Sequence, residues 1–262
     1  MAEAKLNGVR IHYVDEGAGT PYVFCHGLGS NSAGFVGEDL AWYAERFRTV
    51  AWDQRGLGQS GSGGKYSLPL YAADLAALLD HLDIERAVVH GVSWGGVLTQ
   101  RFALDFPERC AAIVLDSTSS EVNVGASENW YARGEIARLG PEALGGRELA
   151  PAFEGHATVS SAGGGPAVAA EHLDSYVAQA RATASLREHP MTPYLGVIEC
   201  PTLIVAGGQD SVAGAGGSVV ISRQIPQSRL EILEDVGHGV YRDGREQFRP
   251  LLLEFLVDAG LS

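Results

Sequence analysis

The chain has 262 residues, and 45% of them are hydrophobic, which is enough to bury the core of one large domain or of a domain with an inserted lobe. Its net charge of −13, from 19 basic and 32 acidic residues, argues against nucleic acid or an anionic membrane surface as a partner, since both attract basic proteins. The three cysteines have no C-x-x-C spacing, the N-terminus has no apolar signal core, and no apolar run approaches the ~18 residues that span a bilayer. We therefore expect a cytoplasmic protein.

Strands and helices alternate along most of the sequence. Apolar runs and alternating patterns indicate strands, and apolar side chains three or four residues apart indicate helices. In chain order the predicted elements are strand 9–14, strand 22–25, helix 39–47, strand 49–52, helix 68–82, strand 87–90, helix 97–106, strand 111–115, strand 202–206, helix 219–225, strand 229–233 and helix 245–258. This order predicts an α/β fold, in which ligands bind beyond the carboxyl ends of parallel strands.

Residues 121–194 differ from the rest because they contain no buried strand. Glycines separate helix-like pieces at 128–139, 141–149 and 167–188. The pattern predicts a helical lid inserted between two strands. We therefore divide the chain into an α/β core, residues 1–120 and 196–262, and a helical cap, residues 121–195.

The turn after strand 87–90 contains Gly91-Val92-Ser93-Trp94-Gly95, which matches the pattern G-x-S-x-G. A strand before this pattern and a helix after it are the context that it requires. The serine then occupies a strained turn beside a helix N-terminus, which favours developing negative charge. Because a serine alone is a poor nucleophile, the pattern predicts a histidine and a carboxylate elsewhere in the chain.

Four other loops carry motifs in a fixed order around this turn. They are His26-Gly27-Leu28-Gly29, residues 53–60 (DQRGLGQS), Gly207-Gly208-Gln209-Asp210 and Gly237-His238-Gly239. With these motifs the chain resembles the α/β-hydrolase fold enzymes over essentially its whole length, least over the lid. The resemblance implies a mostly parallel eight-stranded sheet flanked by helices, with a helical cap inserted between the sixth and seventh strands.

Three residues are predicted to form a catalytic triad in the order that the resemblance implies. Ser93 is the nucleophile. The general base is His238, which lies between two glycines after the last predicted strand. Asp210, after strand 202–206, is predicted to orient His238 and to stabilise its charged form. Asp116 is the alternative acid, because it ends the strand after the serine turn, where some relatives of the fold place the acid.

The resemblance places an oxyanion hole at the backbone N–H groups of Leu28 and Trp94. These groups together imply acyl transfer through a covalent acyl-enzyme. No metal or organic cofactor is expected, since the sequence has neither metal-ligand spacing nor a P-loop. Activity should fall as the pH is lowered and His238 takes up a proton.

Serine in the turn excludes relatives that use aspartate there, such as haloalkane dehalogenases and epoxide hydrolases. We expect a hydrolase of a small-to-medium apolar carboxylic ester or lactone, present as a monomer or homodimer. Two alternatives stay open: a carbon–carbon bond hydrolase of a ring-cleavage product, and a ligand receptor or signalling protein that retains the triad. Candidate pocket residues beside Leu28 and Trp94 are Phe35, Trp130, Tyr131, Met191, Tyr194, Val212 and Val240.

Overall fold

A sheet of eight strands forms the centre of the structure, a computed structural model that describes residues 2–145 and 168–261. The strands are β1 (Ala2–Leu6), β2 (Val9–Glu16), β3 (Pro21–Cys25), β4 (Arg48–Trp52), β5 (Ala87–Val92), β6 (Cys110–Asp116), β7 (Thr202–Gly207) and β8 (Ser228–Leu233). They lie in the order β1-β2-β4-β3-β5-β6-β7-β8. From β4 to β8 in this order neighbouring strands are parallel, whereas β2 pairs antiparallel with both β1 and β4. The mostly parallel eight-stranded sheet predicted from the sequence is therefore confirmed.

Helices cover both faces of the sheet. They are α1 (Ala33–Glu38), α2 (Leu40–Ala44), α3 (Leu68–His81), α4 (Trp94–Asp105), α5 (Val124–Ala137), α6 (Pro141–Gly145), α7 (Leu173–Ser185), α8 (Gly214–Ser222), α9 (Val240–Asp243) and α10 (Arg245–Asp258). Side chains alternate along β3, so that Val23 and Cys25 join a core with α3, α4 and α8, while Tyr22 and Phe24 join a core with α1, α2 and α10. Because both faces are covered, β5 and β7 are buried along their whole length.

The cap helices α5, α6 and α7 lie between β6 and β7, which are the sixth and seventh strands, as predicted. Asn123 caps the start of α5 through a hydrogen bond of 2.8 Å that its Oδ1 accepts from the N–H of Ala126. Helices α5 and α7 pack closely where Gly134 faces Ala180, because a Cβ added to Gly134 would lie 3.6 Å from the methyl group of Ala180. Residues 146–149 of the predicted helix 141–149 and the first residue of the predicted helix 167–188 lie outside the described residues.

The first strand was not among the seven predicted from the sequence, which all fall within β2 to β8. Strand β1 forms a hairpin with β2 through Asn7 and Gly8, which have φ values of 44° and 82°. Asn-Gly between two strands is a strong hairpin signal, because both residues tolerate positive φ. The sequence therefore held the evidence for this strand. In the part of the chain that the structure describes, no helix has both the length and the hydropathy to cross a membrane.

Candidate active site

Ser93 lies between β5 and α4 in a backbone conformation that side chains rarely adopt, with φ 55° and ψ −116°. Such a conformation costs roughly 1–3 kcal/mol and persists only where the surroundings enforce it. Here the surroundings are tightly packed glycines. A Cβ on Gly91 would overlap the backbone of Gly95, and a Cβ on Gly95 would overlap the backbone of Cys25. The glycines of the sequence motif are therefore required by the close approach of strand and helix.

Hydrogen bonds fix the backbone of Ser93 on both sides. The N–H of Ser93 donates to the carbonyl of Asp116 at 2.8 Å. The carbonyl of Ser93 accepts from the hydroxyl of Thr118 at 2.8 Å and from the N–H of Gly96 at 2.9 Å. With its backbone fixed in this way, Ser93 presents its side chain to a cavity above the carboxyl ends of the strands.

His238 and Asp210 form a hydrogen-bonded pair after the two strands at one edge of the sheet. Nδ1 of His238 lies 2.9 Å from Oδ2 of Asp210, while Oδ1 of Asp210 accepts the N–H groups of Val212 (2.8 Å) and Ala213 (3.1 Å). Burial of Asp210 acts to raise its pKa, but the hydrogen bond from His238, the charge of this ring when it is protonated and the two N–H donors outweigh burial and lower the pKa below the ordinary value. Because an ionised carboxylate only accepts, Nδ1 carries the hydrogen and Nε2 of the neutral ring is left as an acceptor.

Ser93 and His238 are brought to the same end of the sheet, but no hydrogen bond joins the Ser93 hydroxyl to His238 among the described residues. Catalytic hydrogen bonds are often long before a substrate binds. Asp116 and Ser117 connect the two segments. Asp116, whose carbonyl holds Ser93, also accepts the N–H groups of Val240 (3.0 Å) and Tyr241 (2.8 Å) through its carboxylate.

The alternative acid, Asp116, therefore faces the backbone that follows His238. Its Oδ1 also accepts the hydroxyl of Ser117 at 2.8 Å, and that hydroxyl accepts the N–H of Gly239 at 3.2 Å. Asp116 is completely buried, and its hydrogen bonds go to these groups. The structure thus pairs the ring of His238 with Asp210, while Asp116 holds the loop that carries this ring.

A cavity of about 340 Å³ lies over Ser93, between the core and the cap. Its lining comes from the loop of residues 26–29, from the end of β6, and from helices α4, α5, α7 and α8. The lining residues are Leu28, Ser93, Trp94, Val97, Ser117, Thr118, Ser119, Glu121, Val122, Asn123, Ala126, Trp130, Thr183, Leu186, Val212, Ala213, Gly216, Gly217 and Val220. Within the described residues, the N–H groups of Leu28 and Trp94 donate no hydrogen bond. Both residues line the cavity beside Ser93.

Two of the seven predicted pocket residues, Trp130 and Val212, line this cavity. Phe35 lies elsewhere, stacked on Phe24 with the ring centres 4.1 Å apart. Val240 is completely buried in the core that α10 covers. Both side chains fill space beneath the site, because their elements turn them toward the sheet.

Three predicted pocket residues of the cap also lie away from the cavity. Tyr131 and Tyr194 are 54% and 64% exposed, and Met191 lines a separate surface groove together with Tyr194. Tyr131 follows Trp130 directly on α5, so the two side chains point in different directions around the helix. The weak amphipathic pattern of α5 did not reveal which of its faces meets the core.

The sequence did not single out several residues that form the cavity wall. Thr118 and Ser119 follow β6, and their position at the carboxyl end of a parallel strand was the available signal. Gly216 and Gly217 on α8 also line the cavity. A Cβ at Gly216 would meet no atom within 4 Å, so there is room for a larger side chain at this position.

His26 fixes the loop that contains Leu28. Its Nδ1 lies 3.0 Å from the carbonyl of Gly27, and its Nε2 accepts the N–H of Gln54 at 3.2 Å. This arrangement requires a neutral ring, because Nε2 must offer a lone pair. Burial lowers the pKa of His26, and the opposing effects of Asp53 and of the hydrogen bond to Gly27 are smaller. Among the residues that the structure describes, no cluster of three or more His, Cys, Asp or Glu side chains could hold a metal ion.

Comparison with known proteins identifies relatives of this chain. A sequence model of the family described as alpha/beta hydrolase fold matches residues 20–145. A 3-oxoadipate enol-lactonase of Acinetobacter baylyi is 30% identical over 223 residues, covering 81% of this chain and 79% of the lactonase. A poly(3-hydroxyalkanoate) depolymerase of Ectopseudomonas oleovorans is 27% identical over 252 residues, covering 90% of this chain and 84% of the depolymerase.

A solved enol-lactonase of Burkholderia xenovorans has the same fold, with a TM-score of 0.81 at 22% identity over 98% of this chain and 100% of that chain. The chain belongs to the α/β-hydrolase fold family. The similarity to these relatives supports hydrolase activity.

Proposed function

We propose that this protein is a serine hydrolase that cleaves a small-to-medium apolar carboxylic ester or lactone through an acyl-enzyme on Ser93. One observation carries the proposal. The strained Ser93 lines a cavity at the end of the sheet where His238 is held by Asp210 at 2.9 Å. A nucleophile, a base and an acid that orients the base are the parts that acyl transfer needs.

In the proposed reaction, Oγ of Ser93 attacks the ester carbonyl while Nε2 of His238 takes up the hydroxyl proton. Asp210 stabilises the imidazolium that results, and substrate binding completes the contact between Ser93 and His238. The oxyanion of the tetrahedral intermediate accepts the free N–H groups of Leu28 and Trp94, each worth about 2.7–4 kcal/mol in comparable sites. The intermediate collapses, and the leaving alcohol receives the proton from His238. Water then repeats these steps to release the acid and restore Ser93.

The cavity supports the substrate class. A volume of about 340 Å³ lies near the lower end of the range for small-molecule sites. Its lining combines apolar side chains with the hydroxyls of residues 117–119, and Glu121 is the one charged side chain among the described lining residues. This lining favours neutral acyl groups over carboxylates. The name of the Acinetobacter relative, an enol-lactonase, supports cleavage of a lactone, which is a cyclic ester.

A panel of substrates tests the proposal. p-Nitrophenyl esters with acyl chains of two to twelve carbons and simple lactones would be compared for kcat/KM. We expect turnover of the shorter chains, a loss of at least ~10³-fold in Ser93→Ala, and unchanged turnover in Ser185→Ala, which removes an exposed serine of α7. Turnover of a vinylogous diketone in place of esters would favour the carbon–carbon hydrolase. Binding of a small ligand without any turnover would favour the receptor.

The other expectations from the sequence are proposals as well. They are a cytoplasmic location, a monomeric or homodimeric state, and the division into a core of residues 1–120 and 196–262 and a cap of residues 121–195. Light scattering of the purified chain tests the oligomeric state. Limited proteolysis followed by mass spectrometry tests whether cleavage first occurs at the boundaries of the cap.

A further inference from the structure

The cap contributes a buried glutamine to the loop that contains Leu28. Gln179, on α7, is completely buried. Its Oε1 accepts the N–H of Gly29 at 2.8 Å, and its Nε2 donates to Oε1 of Gln54 at 2.8 Å. Both ends of this amide therefore contact the core, one of them at the residue that follows Leu28.

Gln54 extends this contact to the second predicted oxyanion residue. Its Oε1 also accepts the indole N–H of Trp94 at 2.8 Å, and its Nε2 donates to the carbonyl of His26 at 3.1 Å. The loop of residues 26–29 and the start of α4 are thus joined through two amide side chains. Leu28 and Trp94 carry the free N–H groups, and each lies in or beside a segment that this network holds.

The orientation of both amides is determined by their partners. The N–H of Gly29 and the indole N–H of Trp94 only donate, so an amide oxygen must face each of them. The amide nitrogens of Gln179 and Gln54 then face two acceptors, the Gln54 oxygen and the His26 carbonyl. One orientation of each amide therefore satisfies all four hydrogen bonds.

We propose that Gln179 is a positioning residue for the oxyanion hole, through which the cap holds the N–H of Leu28 in place without touching the substrate. The inference rests on the proposed function. Gly29 has a φ of 65°, and Tyr176 of α7 packs so closely on it that an added Cβ would overlap the ring. Without Gln179 the N–H of Gly29 lacks its acceptor, and the loop must shift to regain one. A shifted loop displaces the N–H of Leu28 from the short distance that stabilisation of an oxyanion requires.

The variant Gln179→Met tests the inference, because it keeps the length of the side chain and removes both hydrogen bonds. With p-nitrophenyl butyrate we expect kcat to fall about 10- to 100-fold, less than the full loss of one oxyanion donor, and KM to change less than about threefold. An aryl trifluoromethyl ketone, which forms an oxyanion on Ser93, should bind more weakly by the same factor by which kcat/KM falls. A second variant, Gln179→Leu, provides the same readout if the methionine variant fails to fold.

Ser175→Ala is the matched control. Ser175 is one turn earlier on the same face of α7, is completely buried, and bonds to the carbonyl of Arg55 and the hydroxyl of Tyr71, each at 2.8 Å. These bonds join the cap to the core, and none of them goes to the loop of residues 26–29. We expect its Tm to fall about as much as that of Gln179→Met, while kcat and the affinity for the ketone stay within about threefold of the wild type.

Two outcomes would overturn the inference. Either the Gln179 variants keep their kcat and their affinity for the ketone, or Ser175→Ala loses as much of both as they do, in which case Gln179 only anchors the cap. Failure of the proposed function is a different result, since the wild type would then neither hydrolyse the ester nor bind the ketone. That result would overturn both proposals.

Discussion

The hydrogen bonds of Asp210 allow the effect of Asp210→Asn to be worked out. Oδ1 accepts two backbone N–H groups, those of Val212 and Ala213, so the amide oxygen of an asparagine must take this place. The amide nitrogen then takes the place of Oδ2, 2.9 Å from Nδ1 of His238. Because this nitrogen is a donor, Nδ1 must accept, and the hydrogen of the neutral ring moves to Nε2.

A ring with hydrogen on Nε2 cannot take the proton of Ser93. We expect kcat to fall roughly 10⁴-fold, the loss that this exchange causes in a serine protease triad, which corresponds to about 5.4 kcal/mol in the activation free energy. KM should change little, since Asp210 does not line the cavity. The assay is steady-state hydrolysis of p-nitrophenyl butyrate, with circular dichroism and Tm to establish that the variant is folded.

Asp116→Asn is the comparison that decides between the two acids. An amide nitrogen there would face the N–H of Val240 or Tyr241, and we expect a loss of about 1–3 kcal/mol in the free energy of unfolding. Turnover should fall far less than in Asp210→Asn, because the carboxylate of Asp210 still fixes the tautomer. If Asp116→Asn lost roughly 10⁴-fold while Asp210→Asn stayed within tenfold of the wild type, the reasoning would be refuted.

Three other predictions address the cavity, the pH dependence and the core. Gly216→Leu should reduce the kcat/KM of long acyl esters at least tenfold more than that of the acetate, because the new side chain enters the cavity; an unchanged chain-length profile would show that acyl groups bind elsewhere. Burial lowers the pKa of His26 in the folded state, so the contribution of the neutral ring to the free energy of unfolding is complete above the unfolded pKa of about 6.5. This contribution is lost as the pH falls toward the folded pKa, at up to ~1.4 kcal/mol per pH unit. Urea unfolding should show a weaker pH dependence below about 6.5 in His26→Asn than in the wild type, and equal slopes would contradict this assignment. Phe102→Ala should cost about 3–5 kcal/mol in unfolding free energy, because the ring is completely buried, and a loss below 1 kcal/mol would be inconsistent with that packing.

The features that could be predicted from the sequence are local ones. Ser93 can be recognised from five consecutive residues, and its strained backbone conformation follows from the glycines beside it. Asp210 and His238 are visible because each follows an apolar strand, and parallel strands bring their carboxyl ends to one edge. The pairing of His238 with Asp210 at 2.9 Å required the structure, since Asp116 ends a strand equally well.

The features that could not be predicted depend on contacts between distant segments. Gln179 forms hydrogen bonds with Gln54 and Gly29, which lie 125 and 150 residues away in the sequence. Nothing in the local pattern of α7 distinguishes Gln179 from its neighbours. The exposed position of Tyr131 likewise follows from how α5 docks, which a weak helical pattern does not determine. By contrast, the hairpin at Asn7 could have been read from its Asn-Gly pair.

The most direct test of the central claim is to identify the side chain that reacts as the nucleophile. A fluorophosphonate ester would be incubated with the wild type and with His238→Ala, and the modified peptide would be located by mass spectrometry. We predict one adduct, on the peptide that contains Ser93, formed at least ~10³-fold faster in the wild type than in His238→Ala. An adduct on another residue, or ester hydrolysis that continues after Ser93 is replaced by alanine, would contradict the assignment of Ser93 as the nucleophile.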